Sequence, residues 1–399
     1  MAVARITLIS DTGDSVVVSA PDDVFFDNDI ILDTNPDGIY DTGFTVRTNS
    51  GAFEMGGRIV GESVPIREMV LPFWLTPSSR PRFQRLWGTP GNFRKVKWQY
   101  DGPSGRRSLT LKLAKEIKYS TEDGFDADID TSYHAVVSAI AINPMFEATE
   151  VVAEWVNPQP GFTVVVVATG GNFTLTFGNA TTATPLAYNA TAATVQTALR
   201  ALSSVGGTNA TVTGSPGNYS VTFTNITGTL TGSGASLTGT PKSLTIDYIP
   251  NTGYFSVSNP TDQDLWLEWT FDPANSWSFP DYSWGGERIW GRGVGVDSTR
   301  MIVTPALTQL LSVMSDPMMD TYVSADLSNA AGLFNGVEPI YAVPPYTGAE
   351  TVPVICKGPV GAKVTLRQRR FWSAESGLEE DEQPIILTLS PSRISLTIR

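Results

Sequence analysis

The sequence predicts a mainly β fold built from sandwiches or barrels, and three observations point there. Strings of Val, Thr, Tyr and Phe recur between turn signals, the chain holds thirty-six Gly and twenty-seven Pro, and only two segments carry a helical period. At 399 residues with 41 % apolar side chains, the chain is long enough for more than one domain and apolar enough to fold.

The first block covers residues 1–145. Strand patterns appear at residues 16–18 and 44–47, and most clearly around a turn. In Phe93-Arg94-Lys95-Val96-Lys97-Trp98-Gln99-Tyr100, Val96, Trp98 and Tyr100 share one face while Lys95 and Lys97 share the other. Residues 108–113 repeat the two-residue period, and Asp101-Gly102-Pro103-Ser104-Gly105 between them is rich in turn formers. The pair reads as a hairpin with one core face and one basic, solvent-facing side. Before it, residues 78–88 read as a short helix, with Ser79 as candidate N-cap and Gly88 just past the last turn.

Residues 146–160 begin a second sheet domain with a strand at 151–156. Composition then changes abruptly: between residues 161 and 240 the only formal charge is Arg200, although the chain holds twenty-seven Lys and Arg and forty Asp and Glu. So sharp a shift marks a module, residues 161–243, set into another domain. Residues 164–167 are too short an apolar run to span a bilayer and read as a buried strand. Residues 172–177 and 218–223 alternate as strands. Residues 191–203 place Val195, Leu199 and Leu202 on one helical face, with Asn189 or Thr191 to cap the start and Gly206-Gly207 to end it. Strands packed on one helix make a small α+β unit. The earlier composition returns after Pro241. Residues 244–375 therefore rejoin 146–160 in one discontinuous sandwich, with short strands at 255–257, 265–270, 302–304, 354–357 and 362–367. Residues 376–399 carry the acidic run 379–382 and end in one or two strands.

A net charge of −13 argues against generic affinity for nucleic acid, which needs a basic footprint. The single Cys, Cys356, excludes an internal disulfide, and with one Cys and one His a zinc site of ordinary composition is excluded too. No secretory apolar run opens the chain, because Arg5 interrupts it, so a soluble protein made in a reducing compartment is expected. His134 lies on a strand pattern and reads as structural, and Cys356, alternating with Val354, reads as a core thiol. No phosphate loop, dinucleotide fingerprint or nucleophile elbow is present, so neither an enzyme nor a cofactor is expected.

Asp33-Thr34-Asn35-Pro36-Asp37-Gly38 matches the opening of a calcium loop, but Phe44 stands where the closing Glu belongs. An Asp-Gly turn is the preferred reading. Asp126, Asp128 and Asp130 alternate in the same way with still less support, and read as an acidic strand edge. Six Asn-x-Ser/Thr patterns in the module follow from its Asn and Thr content.

Two constellations remain. Between Arg80 and Lys118 lie eleven basic residues and two acidic ones, in a chain that is otherwise acidic. Charge separated in this way suits contact between identical subunits better than single-stranded nucleic acid. Arg80, Arg82, Arg85, Arg94, Lys95, Lys97, Arg106 and Arg107 are the candidate interface residues. Five tryptophans, Trp266, Trp269, Trp277, Trp284 and Trp290, fall within residues 265–292. Exposed, they would make sugar platforms with Asp264, Glu268 and Asp281 as hydrogen-bonding neighbours, although core or interface roles suit most of them better.

Several stretches together resemble the distal tail proteins of long-tailed bacteriophages, also called minor tail proteins. They are Arg67-Glu-Met-Val-Leu-Pro-Phe-Trp74 with the helix and hairpin that follow it, Ile140-Ala-Ile-Asn-Pro-Met-Phe146, Val257 through Trp266, Tyr341-Ala-Val-Pro-Pro-Tyr346, and residues 367–372. The module resembles small domains inserted in phage and actinobacterial surface proteins, through Gly171-Asn-Phe-Thr-Leu-Thr-Phe177 and residues 192–202. The resemblance implies an N-terminal split-barrel or β-sandwich domain that forms a hexameric ring, and a galectin-like β-sandwich that carries the small α+β insertion. It also implies a place in the virion, synthesis in the cytoplasm of a bacterial host, and three partners: further copies of the chain, a tail tube protein and a tail-tip hub protein. Carbohydrate binding to host cell-wall glycan is the alternative role. Neither membrane insertion nor sequence-specific nucleic-acid binding is expected.

Overall fold

The computed structural model describes residues 5–20, 29–40, 42–50, 55–121 and 132–375. The acidic alternation at Asp126, Asp128 and Asp130 and the expected strands within 376–399 lie outside them. The protein is mainly β, and its described residues divide into two compact units. The first comprises the residues up to Thr149, Thr261–Gln263 and those from Arg370 onward; the second comprises Glu150–Pro260 and Asp264–Arg369.

A ten-stranded, nearly closed sheet forms the first unit. Its main path runs Ser15–Ser19, Arg5–Ser10, Lys95–Gly102, Gly105–Leu113, Tyr133–Ala141, Arg67–Leu75, Ile30–Leu32, every neighbour antiparallel. The predicted hairpin is present, with Trp98 opposite Leu109 and Val96 opposite Leu111, all four buried. The two-residue period thus does what it predicts, turning one apolar row inward.

Helix Arg80–Trp87 closes one side of this core with Phe83, Leu86 and Trp87. Ser79 stands before it but does not cap it. Its hydroxyl donates instead to the carbonyls of Asp29, at 2.8 Å, and Thr76, at 3.0 Å. Gly88 ends the helix at φ +84°, where an added Cβ would collide with the Asn92 carbonyl.

Phe146–Ala148 belongs to this first unit, because it pairs with Gly105–Leu113 on one side and with Phe371–Trp372 on the other. The expected start of the sandwich at 146, and its extension through 375, therefore give way to boundaries near 149 and 370.

The second unit holds two hydrophobic clusters. One lies between a five-stranded sheet (Val151–Val156, Lys363–Gln368, Leu267–Phe271, Leu311–Met314, Tyr322–Ser324) and a four-stranded sheet (Asn251–Asn259, Thr347–Lys357, Ser276–Pro280, Met301–Val303). The other fills the low-charge module, between a four-stranded sheet centred on Asn218–Phe223 and Phe162–Val167 and a five-stranded sheet of short strands built on Gly170–Phe177. Helix Ala192–Arg200 lays Val195 and Leu199 into that cluster, joined by Leu202. Thr191 caps it, its hydroxyl accepting the Thr194 N–H at 3.2 Å. Ser243–Tyr248 pairs along its whole length with Phe162–Val167. The module therefore runs past the expected boundary at 243, to the Ile249 N–H that bonds the Gly161 carbonyl at 2.8 Å.

Candidate functional site

Among the described residues, one hairpin of the first unit, Thr45–Asn49 paired with Arg58–Ser63, is almost wholly exposed. Every residue of its first strand is exposed, as is every residue of its second except Gly61. An isolated two-stranded ribbon is marginal in water, and this one buries no apolar face of its own. It nevertheless carries Phe44 at 75 %, Ile59 at 65 % and Val60 at 63 % exposure. Tyr40, Val46, Val64 and Ile66 extend the apolar surface. Exposed apolar side chains on a two-stranded ribbon suit a contact surface.

The basic face lies on the same unit. Lys95 and Lys97 project opposite Val96 and Trp98, as their alternation predicts. Lys95 also stands directly across from Lys112 in the ladder, a like-charge pairing that costs stability in the isolated unit. Arg82 donates to the Ser15 carbonyl, Arg94 pairs with Asp11 at 3.6 Å, and Arg106 pairs with Asp101 at 2.5 Å, while Arg85 stands exposed in the last turn of its helix. The Asp101 contact raises the pKa of Arg106. Arg80 is only half exposed, its guanidinium lying 4.9 Å from the Tyr119 ring and 5.3 Å from that of Tyr133.

Arg107 is not a surface residue. It is 2 % exposed, lies over Trp372 at 3.9 Å and donates to the Ala374 carbonyl at 3.1 Å. Burial pushes its pKa down against the opposing pull of Asp262 and Glu375. It holds the returning C-terminal segment in the first unit, together with Arg67, which donates to the Ser373 carbonyl at 2.5 Å.

The five tryptophans separate. Trp269 and Trp277 are 1 % and 0 % exposed in the sandwich core and cannot face a sugar. Trp266 and Trp284 are half-buried, and Trp290 is 45 % exposed. The expected polar neighbours disperse as well. The carboxylate of Asp281 accepts from Arg300 and from the Ile340 and Tyr341 N–H groups, and Glu268 lies 3.6 Å from Arg369. Asp264 is exposed as a residue, although partial desolvation of its carboxyl raises its pKa.

The Asp33 loop is an irregular connection rather than a regular Asp-Gly turn, with Asp37 bridged to Val70. Its Asp33 carboxylate accepts from the Thr34 N–H at 2.6 Å and lies 3.0 Å from His134 Nε2, while the His134 ring packs beside Trp74 at 5.2 Å. Burial would raise the Asp33 pKa, but bonds from Thr34, Trp74 and His134 hold it below the usual carboxylate range. Among the described residues, no group of three or more His, Cys, Asp or Glu side chains could hold a metal. Cys356 is fully buried, and burial pushes its thiol up to about 12. No helix among the described residues is long and apolar enough to cross a membrane.

No family model and no curated protein matches the chain. Among solved structures it is similar to the Dit protein (gp 19.1) of phage SPP1, described as a paradigm of the hub adsorption apparatus in phages that infect Gram-positive bacteria. The identity is 9 %, the TM-score 0.43, and the match covers 91 % of this chain and 98 % of that one. It is also similar to a chain of the phage P2 baseplate in its activated conformation with calcium, at 11 % identity and TM-score 0.37, covering 92 % and 98 %. The corresponding structure with strontium gives 10 % and 0.35 over the same shares. Likeness this distant leaves function to be argued from the chain's own surfaces.

Proposed function

We propose that this chain is a structural component of a phage tail tip. In this reading six copies close a ring through their N-terminal units, and the ring joins the tail tube to the tip hub. The observation that carries the assembly is the arm hairpin, an ordered ribbon that buries no apolar face of its own and displays Phe44, Ile59 and Val60. A second copy of the chain would supply the missing cover. The Lys95–Lys112 face supports the same reading, since an acidic surface on a neighbouring copy would relieve its repulsion. A surface of one sign meeting a different surface of the other makes a heterologous contact, which propagates around a ring. The sequence resemblance to distal tail proteins supplies the setting.

Light scattering on the purified chain tests this directly. Wild type should give a closed hexamer at micromolar concentration, and the paired substitution Ile59→Ser, Val60→Ser should give monomer. Both residues are exposed, so the variant's melting should stay within about 0.5 kcal/mol of wild type. Wild type that remains monomeric at every concentration would sink the proposal, as would a variant that still closes the ring.

A further inference from the structure

Two surface loops of the second unit share exposed apolar side chains and differ in charge. The first covers residues 288–296, every one of them exposed. It displays Ile289 at 85 %, Val294 at 72 %, Val296 at 67 % and Trp290 at 45 % exposure. Its only charges are Arg288 and Arg292. The acids on either side, Glu287 and Asp297, are 1 % and 4 % exposed and face inward. Glu287 accepts from the Ser283 hydroxyl at 2.7 Å and from the Gly295 N–H at 2.9 Å. Asp297 accepts from the Tyr341 hydroxyl at 2.6 Å and pairs with Arg292, which leaves Arg288 as the loop's exposed cation. A loop tied down at both ends loses little freedom when it binds.

The second surface flanks Tyr322–Ser324, the outer strand of the five-stranded sheet. Before the strand, residues 316–320 carry Met318 at 88 % and Met319 at 55 % exposure between Asp316 and Asp320. After it, Leu327 at 85 % stands beside the exposed Asp326. These turns are ordered as well, since Asp316 accepts the Met318 N–H at 2.8 Å and Asp326 accepts the Ser328 hydroxyl at 2.6 Å. No Lys or Arg occurs between Arg300 and Lys357, so this surface is purely acidic. A three-residue strand spans about 10 Å, so one contact of ordinary size covers both of its ends. Trp and Arg on one surface and Met on the other are side chains enriched where proteins meet. A lipid surface or a polyanion matches only the first loop and leaves Met318, Met319 and Leu327 uncovered. A second copy of the chain covers both.

We propose that the loop at 288–296 of one copy docks on the acidic, apolar surface at 316–327 of another, so that second units bind one another directly. This contact is separate from the one proposed for the arm hairpin, and the arm substitution Ile59→Ser, Val60→Ser leaves both of its surfaces intact. Sedimentation of that variant up to millimolar concentration therefore tests it whether or not the ring forms. Reversible self-association that weakens with added salt is expected. Arg288→Glu should weaken it about tenfold, and so should Asp320→Arg. Both changes in one chain should restore it to within about threefold, because each reversed charge then meets its opposite. A chain carrying Val294→Cys and Met318→Cys, treated with a short bis-maleimide, should give covalent dimers or longer products, and each single variant should not. Cys356 is fully buried and stays out of that reaction. The proposal is overturned if the arm variant stays monomeric at millimolar concentration, or if the paired cysteines give no intermolecular product. It is also overturned if the charge-swapped chain associates no better than the single variants. Phosphatidylglycerol vesicles that bind wild type through Arg288, with no self-association, would make a lipid surface the occupant and overturn it too.

Discussion

Single side chains decide several questions that composition leaves open, and the carboxylate of Asp281 is one. It is 4 % exposed, bonded by Arg300 and by the N–H groups of Ile340 and Tyr341. Burial outweighs those contacts and lifts its pKa from 3.8 to about 6. A folded-state value above the unfolded one means that the native protein binds this proton more tightly. The associated stability is therefore fully present below about 3.8 and is lost as pH rises through about 6. Chemical denaturation of wild type and Asp281→Asn at a series of pH values isolates the effect, because Asn does not titrate. The advantage of wild type over the variant should shrink by about 2.5 kcal/mol between pH 4 and pH 7.5. A difference that stays flat, or grows with pH, would show that the Arg300 and backbone contacts win over burial.

At the scale of elements, the module helix shows what a local signal can and cannot say. Thr191 accepts the Thr194 N–H through its side chain, whereas Ser79 stands before its helix and bonds elsewhere. Thr191→Ala should therefore cost about 1 kcal/mol of module stability, measured by amide hydrogen exchange of Val195 and Leu199. Unchanged exchange there would mean that the packing of those two residues alone holds the helix. The sequence made this helix legible because its apolar spacing and its cap residue agree, although it ends at Arg200, several residues before the glycines expected to stop it. The Lys95–Gly102 and Gly105–Leu113 hairpin was legible for a similar reason, since strict alternation needs no knowledge of distant partners. Other features had no local signature. The fate of Trp269 was partly readable, because Leu267, Trp269 and Phe271 form one alternating row and all three are buried. That of Arg107 was not, because its partners, Trp372 and Ala374, lie more than two hundred residues away. The arm hairpin escaped for a further reason. Residues 44–47 showed a strand pattern, but whether the strand's apolar side chains are covered depends on a surface outside the fold of one unit.

For the molecule as a whole, the near-chargeless insertion is the feature whose limits matter most, because an uncharged, Thr- and Asn-rich module suits weak multivalent contact with a host surface. Testing such a role requires removing the module without damaging the sandwich that carries it. The structure specifies the cut. Gly161 and Ile249 meet through one backbone hydrogen bond of 2.8 Å, and Asn251 Nδ2 donates to Asn157 Oδ1 at 2.9 Å just outside it. Deleting residues 161–249 and joining Pro160 to Pro250 through a short Gly linker should leave the sandwich folded, because the ends already lie side by side. Deleting only 161–243, where composition alone sets the boundary, strands most of Ser243–Tyr248 without its partner Phe162–Val167. It also strips the cover from Leu244, Ile246 and Tyr248, which pack against the module's hydrophobic cluster, at about 1.5 kcal/mol or more for each side chain fully uncovered. The longer deletion should melt in the same range as the parent sandwich and should still close the ring, whereas the shorter one should aggregate on concentration. Equal solubility of both would place the last strand outside the module. Collapse of the longer one alone would show that the sandwich depends on the module's packing, and that the insertion is a structural part of its host domain.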